Sequence, residues 1–332
     1  MLNPIFHSTG TKVNVESPAE LTSGSHKRSF KMGAQHRRAL AACAIAAAGL
    51  AAMGAGSSAR AAATTWTNGN NTQIWSDALN WTNGVPVNGS DVVIGVPATG
   101  SLPSLDDQAL TIANLTVDAN SALAINSGIG LNINSGGNVT DDGQITVNTT
   151  ATAAGTGLGI IGSVTLQGSG SLVLNAGASG FGAATIYDAG NSNLTQASGH
   201  TISGAGQISV NDFTNNGVVD ANSSGNTLRL ISGAFTNANL MEATGGGTLQ
   251  LNATFTNTGG TIDANGGTVL LNGGTVTGGT LTSVGTSEID EQASTNLVGV
   301  TLSTGSNLYV LDGNNLIPNN GNTLTPSQEI RG

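Results

Sequence analysis

Few residues of this 332-residue chain can carry out acid–base or nucleophilic chemistry. Beyond Ala63 there is a single histidine, His200, and there is neither cysteine nor lysine. A Ser-His-Asp hydrolase would have to use His200 as its base, but the surrounding sequence lacks the Gly-x-Ser-x-Gly turn that presents a nucleophilic serine. A phosphate-binding loop ending in Gly-Lys is excluded because it needs a lysine. We expect His200 to be an ordinary turn or surface residue.

Carboxylates are the remaining candidates for chemistry, and they are grouped at three places: Asp106 with Asp107, Asp141 with Asp142, and Glu288 with Asp290 and Glu291. Adjacent residues of a strand point to opposite faces, so neither adjacent pair makes a good acid–base couple. Glu288 and Asp290 share a face if their segment is extended, which makes them weak candidate ligands for calcium. We expect these acids to be solvated and Arg229 to point outward. The sequence therefore predicts no enzymatic activity, no cofactor and no firm metal site.

The charge of the chain is low and one-sided. Only 8% of the residues are charged, and beyond Ala63 there are 17 Asp and Glu against two arginines. An acidic surface repels phosphate backbones, so we expect no nucleic-acid partner. Low charge combined with regularly spaced apolar residues favours an ordered protein. The alternative is a partly disordered stalk rich in Gly, Ser and Asn.

The elements that position these side chains are short strands in a repeat of about 21 residues. The phrase Phe-Thr-Asn begins at Phe213, Phe235 and Phe255, and each copy is followed by an apolar stretch that ends in an acid and alanine. A third apolar stretch follows after a turn. Three short strands per period are typical of a solenoid, in which one coil buries its apolar face only by stacking on its neighbours. We predict an all-β, right-handed parallel β-helix, and the hand follows the usual preference of parallel crossovers.

Asparagine recurs just after the predicted strands, at Asn126, Asn134, Asn148, Asn175, Asn252 and Asn272. Stacked coils superimpose such positions, so the side-chain amides can form a hydrogen-bonded ladder along the stack. Asparagine also tolerates the left-handed turn conformation, which would explain each residue singly. The Gly- and Ala-rich stretches 149–163 and 176–199 are predicted to slip in register, whereas the repeat is regular from Thr201 to about Leu316.

All three tryptophans, Trp66, Trp75 and Trp81, lie close together ahead of the repeats. The first coil of a solenoid has no preceding neighbour, and large aromatic side chains can cover its exposed end. We therefore predict a Trp-rich N-terminal capping module. The alternative is that the three indole faces contact a glycan.

The start of the chain is predicted to direct export. Residues 32–61 have the features of a secretory signal peptide, with a basic segment at 36–38, an apolar segment at 39–56 and a small-x-small cleavage site at 59–61. An uncleaved membrane anchor is the alternative.

Four segments follow from these patterns. Residues 1–31 are interpreted as an extended or misassigned N-terminus, 32–61 as the signal peptide, 62–104 as the Trp-rich capping module, and 105–332 as β-solenoid repeats that we expect to be truncated at the C-terminus.

The segments Thr256–Gly267 and Thr277–Leu281 resemble the β-helix repeats of bacterial autotransporter passengers and filamentous-haemagglutinin-like adhesins. The Trp-rich opening, with Asn80-Trp81 and Val85-Pro86, resembles the module that often begins such passengers. The resemblance implies a secreted or cell-surface protein of structural or adhesive role, whose partner is a ligand on a host, neighbouring-cell or matrix surface. Autotransporters end in an outer-membrane β-barrel for which this chain has no room. We therefore expect a translocator on a missing C-terminal part or on a separate chain.

Other functions fit the same architecture, because β-helix coils support adhesion, enzyme display and spacing alike. The first alternative is a polysaccharide-binding or polysaccharide-degrading β-helix protein. The second is an inert spacer from a larger protein.

Overall fold

Short apolar–polar alternations separated by Gly and Asn turns fold into strands along almost the whole described chain. The computed structural model describes residues 62–95, 102–106, 109–148, 150–151, 155–310, 317–319, 323–324 and 329–331. The predicted N-terminal extension 1–31 and the predicted signal peptide 32–61 lie outside these residues.

The strands are β1 (Thr64–Thr65), β2 (Asp91–Ile94), β3 (Ser104–Leu105), β4 (Leu110–Ile112), β5 (Asn114–Val117), β6 (Ala122–Ile125), β7 (Gly130–Ile133), β8 (Asn138–Asp141), β9 (Gln144–Val147), β10 (Thr156–Gln167), β11 (Ser171–Asn175), β12 (Ala184–Gln196), β13 (Thr201–Ser209), β14 (Asp212–Asn215), β15 (Val218–Ala221), β16 (Thr227–Asn237), β17 (Leu240–Thr244), β18 (Thr248–Thr256), β19 (Thr261–Asn265), β20 (Thr268–Thr277), β21 (Thr280–Val284), β22 (Glu288–Val298), β23 (Thr301–Leu302), β24 (Asn307–Val310), β25 (Ile317–Asn319), β26 (Thr323–Leu324) and β27 (Glu329–Arg331). Short 3₁₀ turns occupy Ala78–Asn80, Gly177–Ser179 and Phe181–Ala183. Within the described ranges, no helix has the length and apolar character needed to cross a membrane. The all-β prediction is confirmed.

The named strands pair in parallel and join residues that are one repeat apart. The first ladder, called here the Phe ladder, pairs Phe213 of β14 with Phe235 of β16, and Phe235 with Phe255 of β18. A second ladder runs through β15, β17, β19 and β21. A third joins the first halves of β16, β18, β20 and β22. Side-chain hydrogen bonds between equivalent residues of the Phe ladder span 20–22 residues, which agrees with the predicted period.

The inward side chains of the ladders form one apolar core that extends from Trp66 to Leu308. β14, β15 and β19 bury every second residue, as the pleat of a strand requires, and the longer strands of the regular half keep this alternation except at their bulges. The three phenylalanines of the Phe ladder stack inside this core: the ring centroids of Phe213 and Phe235 are 6.0 Å apart, and those of Phe235 and Phe255 are 5.0 Å apart. Each repeat is therefore stabilised chiefly by its neighbours.

The repeat is longer in the middle of the chain. Hydrogen bonds that join β10 to β8 and to β12 span 27–29 residues. The pairing of β10 with β12 also has register shifts between Ile160 and Ser163, where extra residues are accommodated as bulges. The departures from register predicted for 149–163 and 176–199 are confirmed, although much of each stretch is strand.

The parallel pairing starts inside the segment predicted as a capping module. Thr64 and Thr65 of β1 pair with β2, and β2 pairs in turn with β5. The tryptophans therefore lie beside the first strands of the ladder and belong to the same core.

Candidate functional site

The three tryptophans pack edge to face. The ring centroids of Trp66 and Trp81 are 5.1 Å apart and those of Trp75 and Trp81 are 4.6 Å apart, with interplanar angles of 79° and 70°. The indole N–H of Trp81 donates to the backbone oxygen of Trp75 at 2.7 Å. The Asp77 carboxylate accepts the N–H of Leu79 at 3.0 Å and so begins the 3₁₀ turn between Trp75 and Trp81.

These rings expose almost no surface to a ligand. Trp66 and Trp75 are each 2% exposed and Trp81 is 5% exposed. Stacking on a sugar needs an open indole face, so the structure contradicts the alternative in which these three side chains contact a glycan. The side chains instead belong to the apolar core beside the first described strands.

His200 and Asp141 form a buried pair. His200 Nε2 lies 3.2 Å from Asp141 Oδ2, and both side chains are 0% exposed. Asp141 Oδ1 accepts the N–H of Gly143 at 3.1 Å, and His200 Nδ1 has no hydrogen-bond partner among the described residues. His200 directly follows the turn at 198–199, as one form of the expectation had it, but it is not a surface residue. The expectation that Asp141 is solvated is wrong. Asp142, its neighbour, is exposed as expected.

Two glycines lie in the column of His200. His200 directly precedes Thr201, which pairs with Ser171, which pairs in turn with Gln144. The positions equivalent to His200 in the two preceding repeats are therefore Gly170 and Gly143. A Cβ added at either glycine would lie 2.2–2.4 Å from a backbone oxygen of the repeat before it, so the backbones approach closely at this corner. Local sequence around residue 200 could not reveal the buried pair, because Asp141 lies two repeats earlier.

The nearest hydroxyl in the column of His200 is the buried Oγ of Ser121, which has no hydrogen-bond partner among the described residues. Ser121 precedes Ala122, the partner of Gln144, so it occupies the equivalent position three repeats before His200. Parallel strands are about 4.8 Å apart, which separates these positions by roughly 14 Å. A nucleophile and its base must lie within hydrogen-bond reach, so Ser121 does not serve His200 as a nucleophile.

A ladder of buried amides runs beside the stacked phenylalanines. Asn215 Nδ2 donates to Asn237 Oδ1 at 2.8 Å, and Asn237 Nδ2 donates to Asn257 Oδ1 at 2.8 Å. The second N–H of each amide is also used: Asn215 donates to the oxygen of Leu240 at 2.9 Å, and Asn237 to that of Thr261 at 3.0 Å. All three asparagines are buried. Burial without these bonds would be costly, so the ladder fixes the register of the repeats.

The predicted asparagines also bond along the stack. Asn126 Oδ1 accepts a bond from the hydroxyl of Ser104 at 2.8 Å, and Asn175 Nδ2 donates to the backbone oxygen of Asn148, one repeat earlier, at 3.0 Å. Asn134 Oδ1 accepts the N–H of the next residue at 2.9 Å, which is a turn role. The buried ladder of the Phe-Thr-Asn asparagines was not in the predicted set; its side chains point inward two residues after each phenylalanine.

Glu288 and Asp290 share the outward face of β22, as predicted. Burial raises the pKa of Asp290, and the negative charge of Glu288 raises that pKa further. Glu291 differs from the expectation, because its side chain is buried and its Oε1 accepts the N–H of Thr295 at 2.7 Å. Among the residues that the structure describes, no three His, Cys, Asp or Glu side chains are grouped to hold a metal ion. Glu288 and Asp290 thus lack a third acidic ligand for calcium.

Three more carboxylates form a column that the sequence analysis did not single out as a site. Asp220 pairs with Glu242, and Glu242 pairs with Asp263, on adjacent strands of the second ladder. Burial raises the pKa of Asp220 and of Asp263. Burial also raises the pKa of Glu242, and the charges of both neighbouring carboxylates add to that rise. We call these three residues the acid column.

Arg229 lies on a different ladder from the acid column. It points outward between buried Leu228 and Leu230, as predicted, and its Cζ lies 5.3 Å from the centroid of the Phe181 ring. This cation–π contact uses the arginine in packing, and no carboxylate site is built around it.

Two open clefts lie on the described surface. One of about 330 Å³ lies beside Trp75 and is lined mainly by apolar residues, among them Val85, Pro86 and Leu110. Another of about 360 Å³ lies among the turns near Gly266 and is lined by polar side chains, among them Ser287 and Glu288. A ligand site usually combines apolar walls with several convergent polar groups, and each of these clefts has mainly one of the two.

No protein-family model, no curated protein and no solved structure matches this chain. The function must therefore be inferred from the architecture and its chemistry alone.

Proposed function

We propose that this chain is an exported bacterial surface or secreted protein of structural or adhesive role, whose repeats stack as a right-handed parallel β-helix. The observation that carries the proposal is the parallel ladder that continues, with bulges, from β1 to β24 with a single apolar core. In a β-helix of this kind each repeat adds about 4.8 Å along the stack, so the ladder is suited to presenting side chains at a distance.

The outward face of the Phe ladder is the surface that such a protein would display. Threonines occupy the same outward position in six successive repeats: Thr165, Thr195, Thr214, Thr236, Thr256 and Thr277. Uncharged hydroxyl rows keep the sheet face polar, and the acidic balance of the chain favours solubility after export. The expected partner is a ligand on a host, neighbouring-cell or matrix surface.

Export is tested by expressing the full chain with a C-terminal epitope in a Gram-negative host. We expect the epitope in the cell-surface or culture fraction, on a protein that begins near Ala62. Leu50→Arg, which places a charge in the apolar segment of the signal, should hold the protein inside the cell, whereas the matched Ile45→Val should not. Cytoplasmic protein that retains residues 32–61 in the unaltered chain would overturn the proposal.

Adhesion is tested separately on the exported protein. Binding of the purified protein to whole cells, matrix proteins and a glycan array should be saturable and should need no enzymatic turnover. Release of reducing ends from a polysaccharide would instead favour the degradative alternative. Binding to none of these surfaces would favour the spacer interpretation.

A further inference from the structure

The acid column places three carboxylates directly above one another. Asp220, Glu242 and Asp263 lie on β15, β17 and β19 and alternate with buried neighbours, so their side chains share the outward face of one sheet. Parallel strands are about 4.8 Å apart. Like charges directly opposite each other on neighbouring strands are destabilising. The column contains two such pairs, Asp220 with Glu242 and Glu242 with Asp263.

No cation compensates these charges within the described residues. The column continues to Ser203 on one side and Thr282 on the other, both uncharged. Flanking outward positions on the same strands hold Val218, Leu240 and Thr261 on one side and Thr244 and Asn265 on the other. On the third ladder, β18 and β20 carry no charged residue. The only charged residue of β16 is Arg229, whose guanidinium lies over Phe181. The charged residues of β22 are all acids: Glu288, Asp290 and Glu291. The groups that titrate within the column are thus its own three acids.

One oxygen of the column has no donor when all three acids are ionised. The Asp220 carboxylate accepts the hydroxyl of Thr244 at 2.8 Å and also has hydrogen bonds with the side chain of Asn222 and the backbone of Thr244. Asp263 Oδ1 is inaccessible to solvent and accepts no hydrogen bond from the described residues. A carboxylate can only accept, whereas a protonated carboxyl group also donates one O–H. Protonation of Glu242, which lies between the two aspartates, would supply the donor that the ionised column lacks.

We propose that Asp220, Glu242 and Asp263 act as a proton-sharing column that stabilises the stacked repeats in acid and destabilises them once all three are ionised. The folded protein raises the pKa of each group above its ordinary value, through burial and, for Glu242, through its two neighbours. A raised pKa means that the stabilisation is complete below about pH 4 and is lost as the pH rises through the folded-state pKa.

Urea unfolding of the full chain between pH 7 and pH 4 tests this column. For each group that titrates, the contribution of the column to the folding equilibrium constant should change by up to about tenfold per pH unit. Glu242→Gln, which is neutral at every pH and keeps a donor, should be more stable than the unaltered chain at pH 7 and should gain less on acidification. Asp118→Asn, which removes an exposed acid outside the column, should keep the unaltered pH slope. An unaltered slope in Glu242→Gln would overturn the proposal.

Carboxyl ¹³C NMR of the unaltered protein gives a readout that does not depend on unfolding. The titration midpoint of Glu242 should lie above the ordinary value of about 4.3 and should fall when Asp263 is replaced by Asn. A midpoint at the ordinary value, or one insensitive to Asp263→Asn, would overturn proton sharing. Stabilisation by calcium chloride at pH 7 that Glu242→Gln abolishes would also overturn it, because the column would then be a cation site.

Discussion

The amide ladder gives the sharpest prediction, because Asn237 lies at its centre. Replacing Asn237 by Ala removes three short hydrogen bonds, which join it to Asn215 at 2.8 Å, to Asn257 at 2.8 Å and to the oxygen of Thr261 at 3.0 Å. It also removes two longer bonds of 3.4 Å to the backbone of Asn239. Each such bond contributes about 1 kcal/mol net, and a buried group left without a partner costs about 1–3 kcal/mol. Asn215 Nδ2 keeps its bond to Leu240, whereas Asn257 Oδ1 loses its donor.

We therefore expect Asn237→Ala to lower the free energy of unfolding by about 3–5 kcal/mol. The matched control is Asn265→Ala, at an exposed asparagine on β19, which should change it by less than about 0.5 kcal/mol. Urea unfolding measures both changes, and native-state hydrogen exchange shows whether the loss is concentrated in β14–β19. A cost below about 1 kcal/mol for Asn237→Ala, or one equal to that of the control, would refute a ladder that fixes the register.

Two further predictions concern the buried corner around His200. His200→Ala should lower the free energy of unfolding, measured in urea, by about 3–5 kcal/mol because it leaves Asp141 buried without the imidazole. The double variant His200→Ala with Asp141→Ala should lose less than the sum of the two single losses. Strictly additive losses would show that the two side chains do not interact. Gly168→Ala should lower the free energy of unfolding by at least about 2 kcal/mol more than the control Gly136→Ala. Both glycines have positive φ, but an added Cβ at Gly168 would lie 2.2 Å from the backbone oxygen of Asp141, whereas Gly136 faces open space. Equal melting temperatures of the two variants would contradict this prediction.

The regular half of the fold could be predicted because its spacing repeats. The Phe-Thr-Asn phrase recurs at nearly constant intervals, and the structure pairs its three phenylalanines as that spacing requires. The same alternation places Phe213 inward, Thr214 outward and Asn215 inward. The burial of the three Phe-Thr-Asn asparagines could therefore have been predicted from the sequence. The sequence analysis instead singled out asparagines that follow strands; of these, Asn148 has the left-handed turn conformation, and Asn175 of the next repeat donates a hydrogen bond to its backbone oxygen.

The buried pair could not be predicted in the same way. His200 is buried against Asp141, which lies two repeats earlier and becomes its neighbour only when the strands are in register. The tryptophans were ambiguous for a related reason. An indole suits both a sugar platform and a core, and only packing against the first strands decides between them.

The stacking of the repeats is the central claim, and distances between paired spin labels test it most directly. With Cys43 replaced by Ser, labels go only to introduced cysteines. Thr165 and Thr277 lie five pairing steps apart along the Phe ladder, and Thr195 and Thr277 lie four apart. Electron–electron double resonance should give narrow distributions near ~24 Å and ~19 Å, which differ by one strand spacing. Broad distributions, or two distances that do not differ by about one strand spacing, would contradict the stacked parallel ladder.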